Sequence, residues 1–186
     1  PDFPCAPAFV LDLQYAGKDT EDKLEEVRTV MREQKADWHV LSSLWDIAWI
    51  LNIRGSDIAH VPVVMSFLLI GQNSCCWYTG EGALNESIRT YLAAHKIELR
   101  PYEEIYNDLG QLPSTDRIML DTGQINLKLK KSLPENMKIA DCINPEERMK
   151  AVKNPVELEN IKKAHIKDGV AFTKFCFWLK NNIGKT

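Results

Sequence analysis

Two apolar runs, VVMSFLLI (Val63–Ile70) and SCCWY (Ser74–Tyr78), stand three residues apart with Gly-Gln-Asn between them. The longer run is far short of the ~20 residues a membrane-spanning helix needs. It has the length of a strand covered on both faces, and Gly-Gln-Asn suits a tight antiparallel turn. An antiparallel pair therefore constrains any sheet this chain builds. The other strand candidates, in DWHVLS, KIELRP, RIMLD and KIADC, alternate with helical stretches. Helices alternating with short strands, plus one antiparallel pair, predict an α/β layer fold with a mixed sheet.

The helical stretches carry their own start signals. DTEDKLEEVRTVMREQKA opens on Asp19 or Thr20 as N-cap, and Leu24, Val27, Val30 and Met31 recur at helical spacing. Ser43 is placed to cap the next helix, with Asp46 three residues on and Leu44, Ile47, Ala48 and Leu51 on one face. That helix is expected to stop at Asn52–Gly55, with Trp45 and Trp49 lining one side of it as core. Further helices are expected over Leu84–Ala94 and near Tyr102–Leu109. The first nine residues hold three prolines and read as an extended linker. They lack the charged start and apolar centre of a signal peptide, and they lack an initiating Met, so the chain is expected to lie inside a longer protein.

A length of 186 residues suits one well-buried core. A net charge of -3 gives no reason to expect a nucleic-acid or membrane partner. The lysines of NLKLKKSLPENMK (Asn126–Lys138) read as a solvated face. Five cysteines without CxxC spacing argue against a disulfide framework or a zinc site, and adjacent Cys75 and Cys76 point to opposite faces of a strand. Reduced thiols in a cytoplasmic protein are the expectation.

After Asn144–Pro145 the character changes, which predicts a division into residues 1–150 and 151–186. A helix starts at Asn154–Pro155 and meets no breaker for over twenty residues. Leu158, Ile161, Phe172, Phe175 and Leu179 share one stripe, together with His165 and Asp168, and Phe177 and Trp178 add a second apolar edge. So apolar an end needs a partner, and truncation is the expectation. His165 and Asp168, one turn apart, are placed to share a hydrogen bond, either as a base and its orienter or as a polar notch that fixes docking. Arg54 and Asp57 flank Gly55 and either pair to pin the loop or face a ligand. His39, His60, His95 and His165 show no metal-ligand spacing, and no nucleophile elbow, Walker loop or dinucleotide fingerprint occurs. Gly80-Glu81-Gly82 reads as a turn. The carboxylates Asp12, Asp37, Asp121 and Asp141 are too scattered for a two-metal nuclease.

Three stretches carry a resemblance. LWDIAWILNIRGSDIAHVPVVMSFLLI (Leu44–Ile70) resembles the second creatinase-like domain of three-domain Xaa-Pro aminopeptidases. AFVLDLQYAGKDTEDKLEEVR (Ala8–Arg28) is similar to the opening of that domain, and KNPVELENIKKAHIKDGVAFTKFCFWL (Lys153–Leu179) resembles the first helix of the pita-bread catalytic domain. The chain departs from the family at Trp45, where aspartate is usual, and at His60-Val61, where Tyr-Asn is usual. The resemblance implies a creatinase N-terminal-domain-like, ribonuclease-H-like mixed sheet flanked by helices and followed by one long helix. It implies a parent enzyme that removes the residue preceding proline, using two divalent metal ions, manganese in the family. Those ions are held by residues beyond the first pita-bread helix, so neither a metal nor a catalytic residue is expected here. Arg54, Asp57, His60, His165 and Asp168 are then expected to contact a substrate channel or an inter-domain seam. The implied partners are the chain's own catalytic domain, a second copy in a dimer, and proline-containing peptides. The rival expectation is a stand-alone interaction module that uses the apolar face of helix 155–179.

Overall fold

The hairpin forms. In the computed structural model, which describes residues 3–184, β4 (Ser66–Gly71) runs antiparallel to β5 (Cys75–Thr79), with Ile70 opposite Cys75 and Ser66 opposite Thr79. Gly71 N–H donates to Ser74 O at 2.9 Å to close the turn. Val63–Met65 stay outside the strand because the preceding loop claims their backbone. Asp57 N–H donates to Val63 O at 3.4 Å, and Met65 N–H donates to the Asp57 carboxylate at 2.7 Å.

Around the hairpin the chain lays down β1 (Phe9–Val10), α1 (Leu13–Ala16), α2 (Thr20–Glu33), β2 (Trp38–Leu41), α3 (Leu44–Leu51) and β3 (Ile53–Arg54). After it come α4 (Glu86–Ala94), β6 (Glu98–Pro101), α5 (Glu104–Gly110), β7 (Arg117–Leu120), α6 (Leu127–Ser132), β8 (Lys138–Asp141), α7 (Pro145–Ala151) and α8 (Pro155–Asn182). The main sheet has the order β6-β5-β4-β2-β7-β8. Its β6–β5, β2–β7 and β7–β8 pairs are parallel and its two pairs with β4 antiparallel, so it is mixed. All six residues of β4 are buried. Leu68 and Ile70 meet Val27 and Met31 of α2, Ile50 and Leu51 of α3, and Ile88 of α4 in one core. Phe67 and Leu69 meet Ile105 and Leu109 of α5 and Leu129 of α6 in the other. A strand covered on both faces has no polar side to show, which is why its sequence is continuously apolar.

Four expectations are corrected. Residues 3–9 are not a linker: Ala6 N–H donates to Asp57 Oδ1 at 2.6 Å, Ala8 N–H to Ala83 O at 3.0 Å, and β1 pairs antiparallel with β3. Prolines at 4 and 7 have no N–H to satisfy, so few bonds dock the segment; Pro1 and Asp2 lie outside the described residues. Gly80 and Gly82 make this docking possible, since a Cβ on either would come within 2.6 Å of Cys5. Ser43 sits at the N-cap of α3 without a side-chain bond, and Asp46 is buried and turned to α7. Trp45 is 54% exposed instead of core, and Trp49 is half-buried. Arg54 and Asp57 form no ion pair: the carboxylate is occupied by the backbone of Ala6 and Met65.

The lysine-rich stretch behaves as read. Asn126 caps α6 by accepting from Leu129 N–H at 2.9 Å, Leu129 is buried, and Lys128 stands outside over the Tyr106 ring. The short helices α1, α6 and α7 were not signalled by periodicity. Helix α7 runs across residue 150.

Helix α8 begins with a full capping box between Asn154 and Glu157. Asn154 Nδ2 donates to Ala16 O and Asn160 Nδ2 to Gln14 O, each at 2.8 Å, seating the first turns against α1. Beyond them the helix stands in solvent. Phe172 is 64% and Trp178 58% exposed, and no residue of α8 is buried.

Candidate functional site

Where α8 leaves the body, a groove of about 710 Å³ opens between α1, the end of α3, β3 and the first turns of α8. Two basic side chains form its floor. Lys23 projects from the inward stripe of α2 and is 1% exposed. Its Nζ donates to Trp49 O at 2.8 Å and Asn52 Oδ1 at 2.6 Å, and lies 4.6 Å from the centre of the Trp49 ring. Burial pushes its pKa down to about 8; nearby Glu157 opposes that shift and Arg54 adds to it. Asn52 ends α3 in the left-handed conformation, φ 51°, which asparagine tolerates better than most residues, and its Nδ2 donates to Lys18 O at 2.9 Å.

Arg54 follows on β3. Its Nη1 donates to Ile53 O at 3.0 Å and to Ala48 O. Burial lowers its pKa, and the neighbouring Glu157 carboxylate works against that. Lys153, Lys163 and Lys167 line the groove from α8 and the turn before it, while Glu157 is the only carboxylate among the lining residues. Oε2 of Glu157 accepts from Asn154 N–H at 2.9 Å within the capping box.

Of the candidate site residues Arg54, Asp57, His60, His165 and Asp168, only Arg54 lies in this groove. Asp57 works on the other side of Gly55, tying the N-terminal segment to the start of β4. His60 is exposed at a loop tip with φ 64°. His165 and Asp168 are exposed on α8 and share no hydrogen bond. Lys23, Asn52 and Glu157 were missed. One signal for Lys23 was present: it falls on the same helical stripe as Thr20, Leu24 and Val27.

A second polar cluster is sealed under α7. His39 of β2 meets Glu146, Nε2 to Oε1 at 3.2 Å, with neither side chain exposed. Asp46 of α3 pairs with Lys150 and accepts from Asn144 Nδ2 at 3.3 Å. Three elements are thus joined by buried charge. Among the described residues, no three His, Cys, Asp or Glu side chains converge on a point that could hold a metal ion. The groove, with five cations against one carboxylate, repels a divalent cation as well. The residues present do not fit a metal centre. All five cysteines are free. No helix among the described residues is long and apolar enough to cross a membrane.

Comparison with known proteins places this geometry. Residues 1–157 match the model of the Creatinase/Prolidase N-terminal domain. The probable Xaa-Pro aminopeptidase P of Podospora anserina is 36% identical over 98% of this chain, and that of Pyricularia oryzae 34% over 98%. The chain spans 28% and 32% of those two proteins, so less than a third of their length. Among solved structures, the X-prolyl aminopeptidase of Caenorhabditis elegans, a cytosolic enzyme with a di-nuclear active site, superposes with a TM-score of 0.90. It is 26% identical over 98% of this chain, which covers 31% of it. A family match through the body of the fold, and a structural match that extends into α8, agree with the mixed sheet and long terminal helix: the chain belongs to the creatinase/prolidase N-terminal-domain family.

Proposed function

We propose that this chain is a non-catalytic domain, the second creatinase-like one, of a Xaa-Pro aminopeptidase that removes the residue preceding proline from the N-terminus of peptides. Residues 1–150 form the domain and 151–186 the first helix of the catalytic domain that follows. The observation that carries this reading is the superposition on the worm enzyme, which takes in α8 as well as the sheet. The parent enzyme is then a cytoplasmic metallopeptidase with two metal ions, manganese, held outside this chain. No catalytic step runs through the residues described above.

Such a domain works by position. It walls the approach to the active site, limits which peptides enter, and holds subunits of a dimer together. Arg54, Asp57, His60, His165 and Asp168 are its contacts to the substrate channel or the inter-domain seam. The exposed faces of His165 and Asp168 on α8, and of His60 at its loop tip, are compatible with contacts beyond this chain.

A second reading is favoured by one feature: Phe172, Phe175 and Trp178 are exposed along a helix with no buried residue, as in a stand-alone module that recruits a partner. Cleavage of a short Xaa-Pro-Xaa peptide with manganese separates the readings. The 186-residue chain is assayed beside a version extended through the following domain. Cleavage by the extended version alone supports the first reading. Cleavage by the 186-residue chain overturns it, and so does a native reading frame that does not continue into a metal-binding domain.

A further inference from the structure

Arg54 is held so that its recognition edge stays unpaired. Both of its hydrogen bonds come from Nη1, to Ile53 O and Ala48 O. Nε and Nη2 have no hydrogen-bond partner among the described residues, yet neither is a sealed buried atom. That edge, with one N–H from each nitrogen, is the one a guanidinium uses to grip an oxyanion with two parallel bonds. Because Nη1 is already tied down, little side-chain freedom remains to be lost on binding.

The surroundings select the ligand. Glu157, the single lining carboxylate, forms no ion pair with Arg54 or Lys23 and is engaged in the capping box of α8. Lys23 lines the same groove with two of its three protons fixed, and Lys163 and Lys167 of α8 line it as well. The result is an excess of positive charge in a partly desolvated space, where attraction for an anion is stronger than on open surface. Trp49, Leu11 and Ile161 supply apolar wall, and about 710 Å³ is the room a small organic molecule needs, well beyond that of a bare ion.

We propose that Arg54, backed by Lys23, binds the carboxylate of a small organic acid whose apolar body lies against Trp49 and Ile161. The site shares Arg54 and the α8 wall with the contacts proposed above, but its test reads binding to this chain and not peptide cleavage, so the two readings fail separately.

The test titrates the 186-residue chain with three probes, N-acetylphenylalanine, its neutral amide and inorganic phosphate, by calorimetry and by the NMR shift of the Arg54 Nε–H. The acid is expected to saturate and to move that resonance. The amide and phosphate are each expected to bind at least about tenfold more weakly, the loss that goes with removing a charge-assisted pair or an apolar body. Arg54→Lys keeps the charge and loses the fork, and is expected to weaken the acid at least about tenfold with the circular dichroism spectrum unchanged. Glu157→Gln keeps a capping acceptor, removes the competing anion, and is expected to tighten binding several-fold. An amide that binds like the acid, or no saturation by the acid at tens of millimolar, overturns the proposal. Phosphate that binds as tightly as the acid overturns the organic-acid assignment. If Arg54→Lys does not fold, Glu157→Gln decides, and unchanged affinity there counts against the site.

Discussion

The His39–Glu146 pair offers the most direct test of how α7 is fastened to the sheet. His39 Nδ1 lies 2.9 Å from Met119 O, so that nitrogen carries a proton and donates it. Nε2 faces the Glu146 carboxylate, 3.2 Å from Oε1 and 3.4 Å from Oε2, with no water-exposed surface on either side chain. Burial by itself would lower the pKa of His39; the Glu146 charge and hydrogen bond, the Met119 carbonyl and, last, Asp46 outweigh it and raise the pKa. The folded protein therefore binds this proton more tightly than the unfolded chain, where histidine titrates near 6.5. The stabilisation is complete below pH ~6.5 and is lost as pH rises through the folded value, at no more than about 1.4 kcal/mol per pH unit for one proton. Lys23 contributes with opposite sign once pH passes its value of about 8, so the clean window is pH 6.5 to 8.

Glu146→Gln keeps the shape and swaps the charge for an amide, which can donate to the Nε2 of a neutral His39. The expected cost at pH 7 is about 1–2 kcal/mol, and the downward slope of stability across the window should flatten. Glu146→Ala leaves Nε2 unpartnered over a void and is expected to cost about 3–5 kcal/mol. Urea unfolding followed by circular dichroism at half-unit steps of pH measures both. A Gln variant with the wild-type slope would refute the buried-pair account.

Three further outcomes are expected. Lys23→Met removes one contribution that grows with pH between ~8 and ~10.5, as the unfolded lysine outbinds the folded one for its proton. The stability of the wild type relative to the variant should therefore rise across that range, even though raised Cys75 and Cys76 act against it in both proteins; a wild-type-minus-variant difference from urea unfolding that stays constant there would contradict a buried, depressed Lys23. Gly82→Ala drives a methyl to 2.6 Å from Cys5 O; the N-terminal segment should lift, and thiol-reagent labelling of Cys5 should accelerate at least about tenfold. Leu68→Ala, at a fully buried position in the central strand, should cost about 2–5 kcal/mol in urea unfolding.

The parts of this fold that were legible in the sequence share one property: their signals are local. The hairpin needs only two apolar runs and Gly-Gln-Asn between them, and the start of α8 needs only Asn154 and Pro155 side by side before a stretch without a breaker. Buried charge has no such local signature. His39 and Glu146 are 107 residues apart, Asp46 and Lys150 104 apart, and Lys23 and Asn52 29 apart. Asp46 falls three residues after Ser43, a pattern that reads as a capping pair, because nothing nearby reveals that Lys150 will arrive to take the carboxylate. The N-terminal segment was lost for the same reason, since its partners Ala83 and Asp57 are tens of residues away. These illegible pairs are also the ones that matter for the site. The Asp46 and His39 clusters fix α7, α7 leads directly into the cap of α8, and the angle at which α8 leaves sets the width of the groove over Arg54. A reading based on apolar periodicity therefore finds α3 and α8 and misses both α1, which completes the groove, and the buried charges that fasten α7 ahead of α8.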